Sequence, residues 1–239
     1  CKCRDELIFN HIYFRSVSYD IDDDNDNLND SVDFLMGNSS VINSSIPLSI
    51  NITINFTANL TNIFNGTLLV NITNNTKPLV EFNWTFNETN RLNLYNLTIN
   101  LQSDNSTGWI EVKGLRLNSA SKILYVDKLN SSYNSVCIKD IENASVSNIS
   151  QRCNSANETV LVCDGITSSG YSCFNLSTQY KILGLSHSAI IERCKDNDAD
   201  SYGTGCNKGS DCNDNDANKN TDCTEQSQGN SVSSGGGGG

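Results

Sequence analysis

The segment from Ile50 to Leu101 alternates apolar and polar residues along much of its length. Its first run places four apolar residues on one phase, with Asn and Thr between them: Ile50, Ile52, Ile54 and Phe56. A second run repeats the pattern with Val80, Phe82, Trp84 and Phe86. A period of two is typical of a β-strand with one buried and one exposed face. We therefore predict half-buried strands here, with Phe56 on the buried face.

Short apolar runs separated by turn residues continue through most of the chain. Only two prolines occur, and no long helical period is present. The pattern predicts an all-β, Ig-like β-sandwich, built either as one elongated sandwich or as two lobes divided near residue 130. The predicted strands cover residues 48–57, 67–73, 79–86, 91–101, 108–117, 122–129, 135–141, 144–149, 158–163, 171–176 and 180–192.

Two local signals refine this prediction. The pair Asn65–Gly66 is typical of a tight hairpin turn between two strands. Within residues 91–101 the apolar positions change phase, which predicts a β-bulge near Tyr95–Asn96.

The polar phase of the strands repeatedly spells Asn-X-Ser/Thr, the acceptor motif for N-glycosylation. The chain holds eighteen such sites without Pro at X, whereas roughly seven are expected by chance from its composition. An Asn-rich coding bias is the alternative explanation, but the repeated return to the polar phase favours a sugar-covered face. The predicted sites are Asn29, Asn38, Asn43, Asn51, Asn55, Asn59, Asn65, Asn71, Asn74, Asn83, Asn87, Asn96, Asn105, Asn130, Asn143, Asn148, Asn157 and Asn175.

Charge and cysteine content narrow the class of protein. The formal net charge is −11, so nucleic acid is not an expected partner, because phosphate binding needs clustered Lys and Arg. Ten cysteines predict disulfides and an extracellular or cell-surface location, and the candidates are Cys1, Cys3, Cys137, Cys153, Cys163, Cys173, Cys194, Cys206, Cys212 and Cys223. No apolar run approaches the roughly 20 residues of a membrane span.

The beginning of the chain contains two distinct segments. Residues 1–19 include the apolar stretch Leu7–Phe14, a candidate first strand or donor strand. Residues 20–33 are strongly acidic, and their usual interpretation is a solvated loop. Their spacing also matches the calcium ligands of an EF-hand loop, with Asn27 at the position that needs a left-handed turn. The ligands would be Asp22, Asp24, Asp26, the carbonyl of Leu28, Asp30 and Asp33.

Residues 194–223 combine alternating Asp residues with four cysteines and almost no apolar residues. Such a segment cannot bury a core, so disulfides and a metal are what could order it. Calcium prefers six to eight oxygen ligands, which alternating carboxylates and a carbonyl can supply. Asp196, Asp198 and Asp200 stand at the first three ligand positions, and the Tyr202 carbonyl follows.

The pattern DxDxDxYGxG followed by DCxDxD resembles the MopE-type metal-binding motif of archaeal and bacterial surface proteins. It is also similar to thrombospondin type 3 calcium repeats. The resemblance is confined to these thirty residues. It implies a calcium-binding module with ligands at Asp196, Asp198, Asp200, Asp211, Asp214 and Asp216.

Catalytic signals are weak by comparison. His11 and His187 are the only imidazoles, and His187 lies between two serines, Ser186 and Ser188. No nucleophile elbow, oxyanion loop or partner carboxylate accompanies them, so we predict a strand-edge histidine and no catalytic residue. Paired carboxylates for glycoside hydrolysis stay an open alternative.

Three functions compete at this level. The first is a structural subunit of a surface filament, pilus or surface layer, which assembles by strand addition. The second is an adhesion or ligand-binding module, carried on the Ser/Gly linker of residues 224–239. The third, a surface hydrolase fragment, has the least support. The chain as a whole resembles archaeal cell-surface proteins, which build Ig-like domains into such assemblies.

Overall fold

The computed structural model describes residues 22, 26–29, 31–102, 104, 106–117, 120–196, 200, 202–206, 208–213 and 215–218. Almost all of its regular structure is β-strand. The strands are β1 (Leu35–Met36), β2 (Ile50–Ile54), β3 (Gly66–Asn74), β4 (Lys77–Phe86), β5 (Leu92–Asn93), β6 (Thr98–Leu101), β7 (Trp109–Lys113), β8 (Lys122–Asp127), β9 (Ser135–Lys139), β10 (Glu158–Val162), β11 (Asp164–Ser168), β12 (Tyr171–Asn175), β13 (Gln179–Leu185) and β14 (Ala189–Glu192).

The strands form two large antiparallel sheets. A seven-stranded sheet has the order β11-β12-β13-β8-β4-β3-β2, and a five-stranded sheet has the order β10-β9-β14-β7-β6. A short parallel pair, β1 with β5, stands apart from both. The predicted donor strand Leu7–Phe14 and the linker 224–239 lie outside the described residues.

One hydrophobic core joins the two sheets. It contains the buried phase of β4 from one sheet and residues such as Ile99, Ile110 and Ile190 from the other. On β4 the apolar phase is buried while Asn83 and Thr85 are exposed, as the alternation predicts. The all-β prediction is therefore confirmed, and the two sheets make a β-sandwich.

Phe56 is not on the buried face. It is 81% exposed, because β2 ends at Ile54 and the chain turns at Asn55–Phe56 with positive φ at both residues. Ile54 and Thr57 then exchange both of their backbone hydrogen bonds, at 2.9 and 3.0 Å. This is the geometry of a two-residue type I′ turn, so the alternation was right as far as Ile54 and wrong at Phe56.

The predicted hairpin at Asn65–Gly66 is also wrong. These residues stand at the start of β3, where Gly66 pairs with Phe86 of β4. The tight turn instead follows Asn74, at Asn75, whose φ of +52° suits the residue types that tolerate left-handed backbone.

The phase change within residues 91–101 has a different cause from a β-bulge. A 3-10 helix, Leu94–Asn96, separates β5 from β6 and rotates the chain between them. As a result the apolar residues on both phases are buried: Leu92, Leu94, Leu97, Ile99 and Leu101.

The second half of the chain departs from prediction at three places. Residues 144–149 contain the 3-10 helix Val146–Asn148 and no strand. The edge strand β11 was not predicted, because its residues are mostly polar and exposed. Residues 180–192 form two strands, β13 and β14, which belong to different sheets.

Among the described cysteines, three disulfides cross-link this half of the molecule. They are Cys137–Cys153, Cys163–Cys173 and Cys194–Cys206. Cys212 is disulfide-bonded as well, whereas Cys1, Cys3 and Cys223 lie outside the described residues. The bonds indicate an oxidising environment, extracellular or secreted. Among the described residues, no helix is long and apolar enough to cross a membrane.

Candidate metal centre and glycan sites

The Asp-rich module is docked on the start of β9. The amide of Asn134 donates to the carbonyl of Gly205 at 3.0 Å. The Ser135 hydroxyl donates to the carbonyls of Arg193 and Gly205 at 2.8 and 3.2 Å. A side chain at position 205 would collide with Ser135, because a Cβ there would lie 2.2 Å from its Oγ. The first part of the module therefore packs on the sandwich, and the disulfide Cys194–Cys206 closes its first loop.

Three predicted carboxylates share one local geometry. In each, Oδ1 accepts the backbone amide two residues later, in an Asx-turn: Asp200 to Tyr202 at 2.7 Å, Asp211 to Asn213 at 2.9 Å, and Asp216 to Asn218 at 3.3 Å. The turn leaves the second carboxylate oxygen for another partner. In Asp211 this oxygen, Oδ2, is buried and has no hydrogen-bond partner among the described residues.

The described part of the ligand set is incomplete. Asp196 and Tyr202 are partly buried, and Asp198 and Asp214 lie outside the described residues. Among the residues that are described, no three of the predicted carboxylates bring ligand atoms within 4.8 Å of one another. Calcium binding by this module therefore stays a prediction, with an oxygen-rich donor set of the type that calcium prefers.

The earlier acidic loop shows one of its predicted features. Asn27 has φ +74°, the left-handed turn expected at the sixth position. Asp22 accepts the amides of Asp26 and Asn27 at 3.1 and 3.0 Å, and Asp26 accepts that of Leu28 at 2.8 Å. Asp33 is buried and accepts the amide of Leu35 at 2.9 Å. Asp24 and Asp30 lie outside the described residues.

A different cluster, Cys137, Cys153 and Glu158, has ligand atoms close enough to hold a metal ion. Its two sulfurs are joined in a disulfide, so neither is a thiolate ligand. Glu158 accepts the amides of Ser150 and Ser155 at 2.8 and 3.0 Å. This cluster therefore has a structural role: the disulfide and the Glu158 carboxylate hold the segment around Ser150–Ser155 in place.

The predicted glycosylation sites lie on the surface. Seventeen of the eighteen are described, the exception being Asn105. Thirteen are exposed and the other four, Asn71, Asn74, Asn87 and Asn130, are partly exposed. In several, Asn Oδ1 accepts the amide of the Ser or Thr two residues later, as in Asn38, Asn59 and Asn87. The site geometry is compatible with modification, and occupancy stays a prediction.

His187 is not at a strand edge. It lies in the bend between β13 and β14, where the chain crosses from one sheet to the other. Asp140 holds this bend: its carboxylate accepts the amides of Ser186 and His187 at 2.9 and 2.6 Å, and the hydroxyl of Ser188 at 2.9 Å. The polar groups around the histidine thus secure a chain crossing.

Two buried ionisable residues were not singled out from the sequence. Lys122 is fully buried, and its Nζ donates to the carbonyl of Ser186 at 2.8 Å. Burial lowers the pKa of Lys122 to about 8, although the charge of Asp140 opposes the shift. Lys122 occupies the apolar phase of β8 opposite Phe82, and only this polar position among apolar ones could have signalled it.

Glu192 is the second of these residues. Its carboxylate accepts the amides of Gly108, Leu129 and Asn130 at 2.7, 2.9 and 3.0 Å. Burial raises the pKa of Glu192 despite these three hydrogen bonds, which act in the opposite direction. Glu192 therefore links β14 to the residue before β7 and to the residues that follow β8.

Comparison with known protein families, curated proteins and solved structures gives no match to this chain.

Proposed function

We propose that this chain is a non-catalytic structural glycoprotein of a cell surface. It is a subunit of a filament, pilus or surface layer, built on an Ig-like β-sandwich and stabilised by calcium. The supporting observation is how three buried or partly buried carboxylates are used. Asp140, Glu158 and Glu192 each accept several backbone amides, so these carboxylates hold chain crossings and loops in place.

The architecture agrees with a scaffold role. Two antiparallel sheets cover one core, as in Ig-like domains, with strands added beyond the seven of a constant-type domain. Three disulfides and the docked module tie down the half that follows β8. A rigid, oxidised scaffold with surface sequons suits an extracellular assembly.

Strand addition needs a sheet edge with free backbone groups. Two of the four edges of the large sheets are guarded. Asn43 pairs with β6, and β11 has a register shift and Asp164, which accepts the amide of Ile166 at 2.9 Å. The β2 edge is protected only at its end, where the chain turns back and Thr57 pairs with Ile54. The fourth edge is β10. The backbone amide of Cys163 donates to the carbonyl of Asn134, next to β9. Because backbone groups alternate in direction along a strand, those of Val160 and Val162 are directed away from β9, toward the open edge.

A proline at position 160 tests the proposed assembly edge. Val160→Pro removes an amide that points away from β9, so the fold should be retained while an incoming strand loses a donor. Electron microscopy should show loss of ordered polymers with unchanged circular dichroism. Ile50→Pro, at the edge of β2, is the matched control and should still polymerise. Polymers that persist in Val160→Pro would reject β10 as the assembly edge, whereas isolated particles in native material would argue for the adhesion module instead.

Calcium has a separate test. Isothermal titration should show calcium binding to the whole chain, and the double variant Asp198→Ala, Asp200→Ala should lose it. Thermal unfolding should shift upward with calcium and return after chelation, since a ligand that binds only the folded state stabilises it. No heat of binding in the unmodified protein would end the calcium proposal and leave the scaffold proposal standing.

A further inference from the structure

One continuous part of the chain has no charged side chain at all. From Phe34 to Thr76, 43 residues contain no Asp, Glu, Lys, Arg or His, in a protein with 43 acidic and basic residues elsewhere (16 plus 27). The same part holds eight of the eighteen sequons: Asn38, Asn43, Asn51, Asn55, Asn59, Asn65, Asn71 and Asn74. Loss of charge and gain of sequons thus coincide in under a fifth of the sequence.

The fold gathers this segment on one lateral side of the sandwich. It supplies β2 and β3, the two outermost strands at one end of the seven-stranded sheet. It also supplies Asn43, which bonds to Leu97 and Ile99 along β6, at one end of the five-stranded sheet. The side of the molecule formed by both of these sheet edges is therefore almost without formal charge.

The loop between β2 and β3 exposes large apolar side chains. Phe56 is 81% exposed and Ile63 is 60% exposed, the first and third highest values among the large apolar residues described. Phe56 also has φ +67°, a region that an aromatic residue rarely adopts and that usually takes Gly in this turn. Apolar exposure on a strained turn calls for something that covers it.

The usual guards of a sheet edge are also missing from β2. Natural edges carry charges, proline or bulges that prevent another copy from pairing. Within β2 there is no charge and no proline, and its pairing with β3 has no register shift. Only the turn-back at Thr57 protects it, because Ile54 is paired there while Ile50 and Ile52 direct their backbone groups away from β3.

A second copy would fit this edge without repulsion. The sequence of β2, INITI, is nearly palindromic, so an antiparallel partner places apolar beside apolar and polar beside polar residues. The sequons lie where they would prevent such contact. Asn51 is exposed on β2, Asn55 directly precedes Phe56, and Asn59 and Asn65 bracket Ile63 in the loop.

We propose that the N-glycans of this segment replace charge as its guard: those on Asn55, Asn59 and Asn65 cover Phe56 and Ile63 and keep copies from joining along β2. The inference rests on the proposed glycoprotein character of the chain and adds a task for particular glycans. It also explains how an assembling subunit avoids pairing at the wrong edge.

Two matched triple variants test the proposal. The first, Thr57→Ala, Thr61→Ala and Thr67→Ala, removes the three loop sequons and keeps the Asn residues that support the turn. The control, Ser132→Ala, Thr159→Ala and Ser177→Ala, removes three sequons elsewhere, at Asn130, Asn157 and Asn175. Both are made in Val160→Pro, so that functional polymerisation does not interfere. Light scattering after size-exclusion chromatography measures the mass of each.

The loop variant should form dimers or larger species, and dye binding to exposed apolar surface should increase severalfold. The control should stay monomeric. Adding Phe56→Lys and Ile63→Lys to the loop variant should restore the monomer, because charge then guards the edge directly. A monomeric loop variant, or equal association of the control, would overturn the inference.

Glycopeptide mass spectrometry of the native protein separates this outcome from the broader proposal. If Asn55, Asn59 and Asn65 are unmodified while other sequons carry sugar, the inference fails and the glycoprotein proposal survives. If no sequon is modified, both fail. Occupied loop sites with a monomeric loop variant leave the glycoprotein proposal intact and reject the guarding role.

Discussion

The outer face of the five-stranded sheet lies under residues 140–157, whereas the outer face of the seven-stranded sheet carries exposed polar side chains. The covering segment buries Ala144 and Ile149 against outward residues of the sheet, such as Ala189 and Ile191. On the other sheet, Thr67 and Thr85 share a hydrogen bond of 2.7 Å at the exposed surface.

The two faces explain two kinds of sequence. A strand covered on both faces is buried on both phases and is mostly apolar. The buried runs Ser135–Ile138 of β9 and Ala189–Glu192 of β14 are of this kind, with Ser135 and Glu192 as their polar members. A strand with one open face alternates, as β4 does. Alternation of apolar and polar residues therefore indicates a strand with one covered face. A strand that lacks this alternation indicates that another segment of the chain covers its second face.

The largest expected effect comes from releasing the cover. Replacing Cys137 and Cys153 by Ala removes the bond between β9 and the segment, and loss of a native disulfide typically costs about 2–5 kcal/mol. Thermal unfolding should show a large fall in Tm, and hydrogen exchange should accelerate first at β9 and β14. Unchanged exchange there would show that apolar contacts alone hold the cover in place.

The first residue of the cover gives the next effect. Asp140→Ala leaves the amides of Ser186 and His187 and the hydroxyl of Ser188 without their acceptor. Unsatisfied polar groups of this kind cost about 1–3 kcal/mol each when buried, less where water reaches them. We expect a loss of about 2–4 kcal/mol in denaturant unfolding. Glu142→Ala, at an exposed position two residues later, is the control and should have little effect.

Lowering the pH should destabilise the covering segment, residues 140–157, before it affects the exposed outer face of the seven-stranded sheet. Burial would raise the pKa of Glu158, but its hydrogen bonds with Ser150, Ser155 and Lys139 outweigh this and hold the pKa below the usual value. A lowered pKa means stability that is present above the unfolded pKa, near 4.5, and lost as the pH falls through the folded pKa. Exchange of the Ser150 and Ser155 amides should accelerate over that range.

The pKa of Glu192, in the same sheet, is shifted in the opposite direction from that of Glu158. Its pKa is raised by burial, so its contribution to stability increases as the pH falls from above the folded pKa toward 4.5. The Gly108 amide should therefore stay protected at a pH where those of Ser150 and Ser155 do not. If the Gly108 amide and the Ser150 and Ser155 amides lost protection at the same pH, Glu158 would not be the group that holds the covering segment.

The smallest effect belongs to the open face. Thr67→Val removes one exposed cross-strand hydrogen bond to Thr85 and keeps the side-chain shape. Because Thr67 also completes the Asn65 sequon, the comparison is made in protein without glycans. Exposed substitutions away from special features change stability by about 0.5 kcal/mol or less, and Val suits a strand. The expected change in Tm is close to zero. A large loss would mean that the outer face of this sheet is more strongly coupled to the core than the contacts indicate.

Local pattern predicted a large part of the fold and little of the site geometry. The strands β2, β4 and β12 were found because their alternation or apolar runs are visible within five to ten residues. Strand β11 was missed because an exposed polar edge strand has no such pattern. The left-handed turn at Asn27 was predicted from residue type, whereas the roles of Asp140 and Glu192 were not, since their partners lie up to 84 residues away in sequence.

By itself the sequence determined an all-β protein, the phase of its half-buried strands, its oxidised cysteines and the exposure of its sequons, because each follows from the character of neighbouring residues. Tertiary structure decided that β13 and β14 enter different sheets, that Phe56 points outward, which cysteines pair, and that Lys122 is buried. These outcomes depend on contacts between residues far apart in the chain. Short-range periodicity carries no information about such contacts.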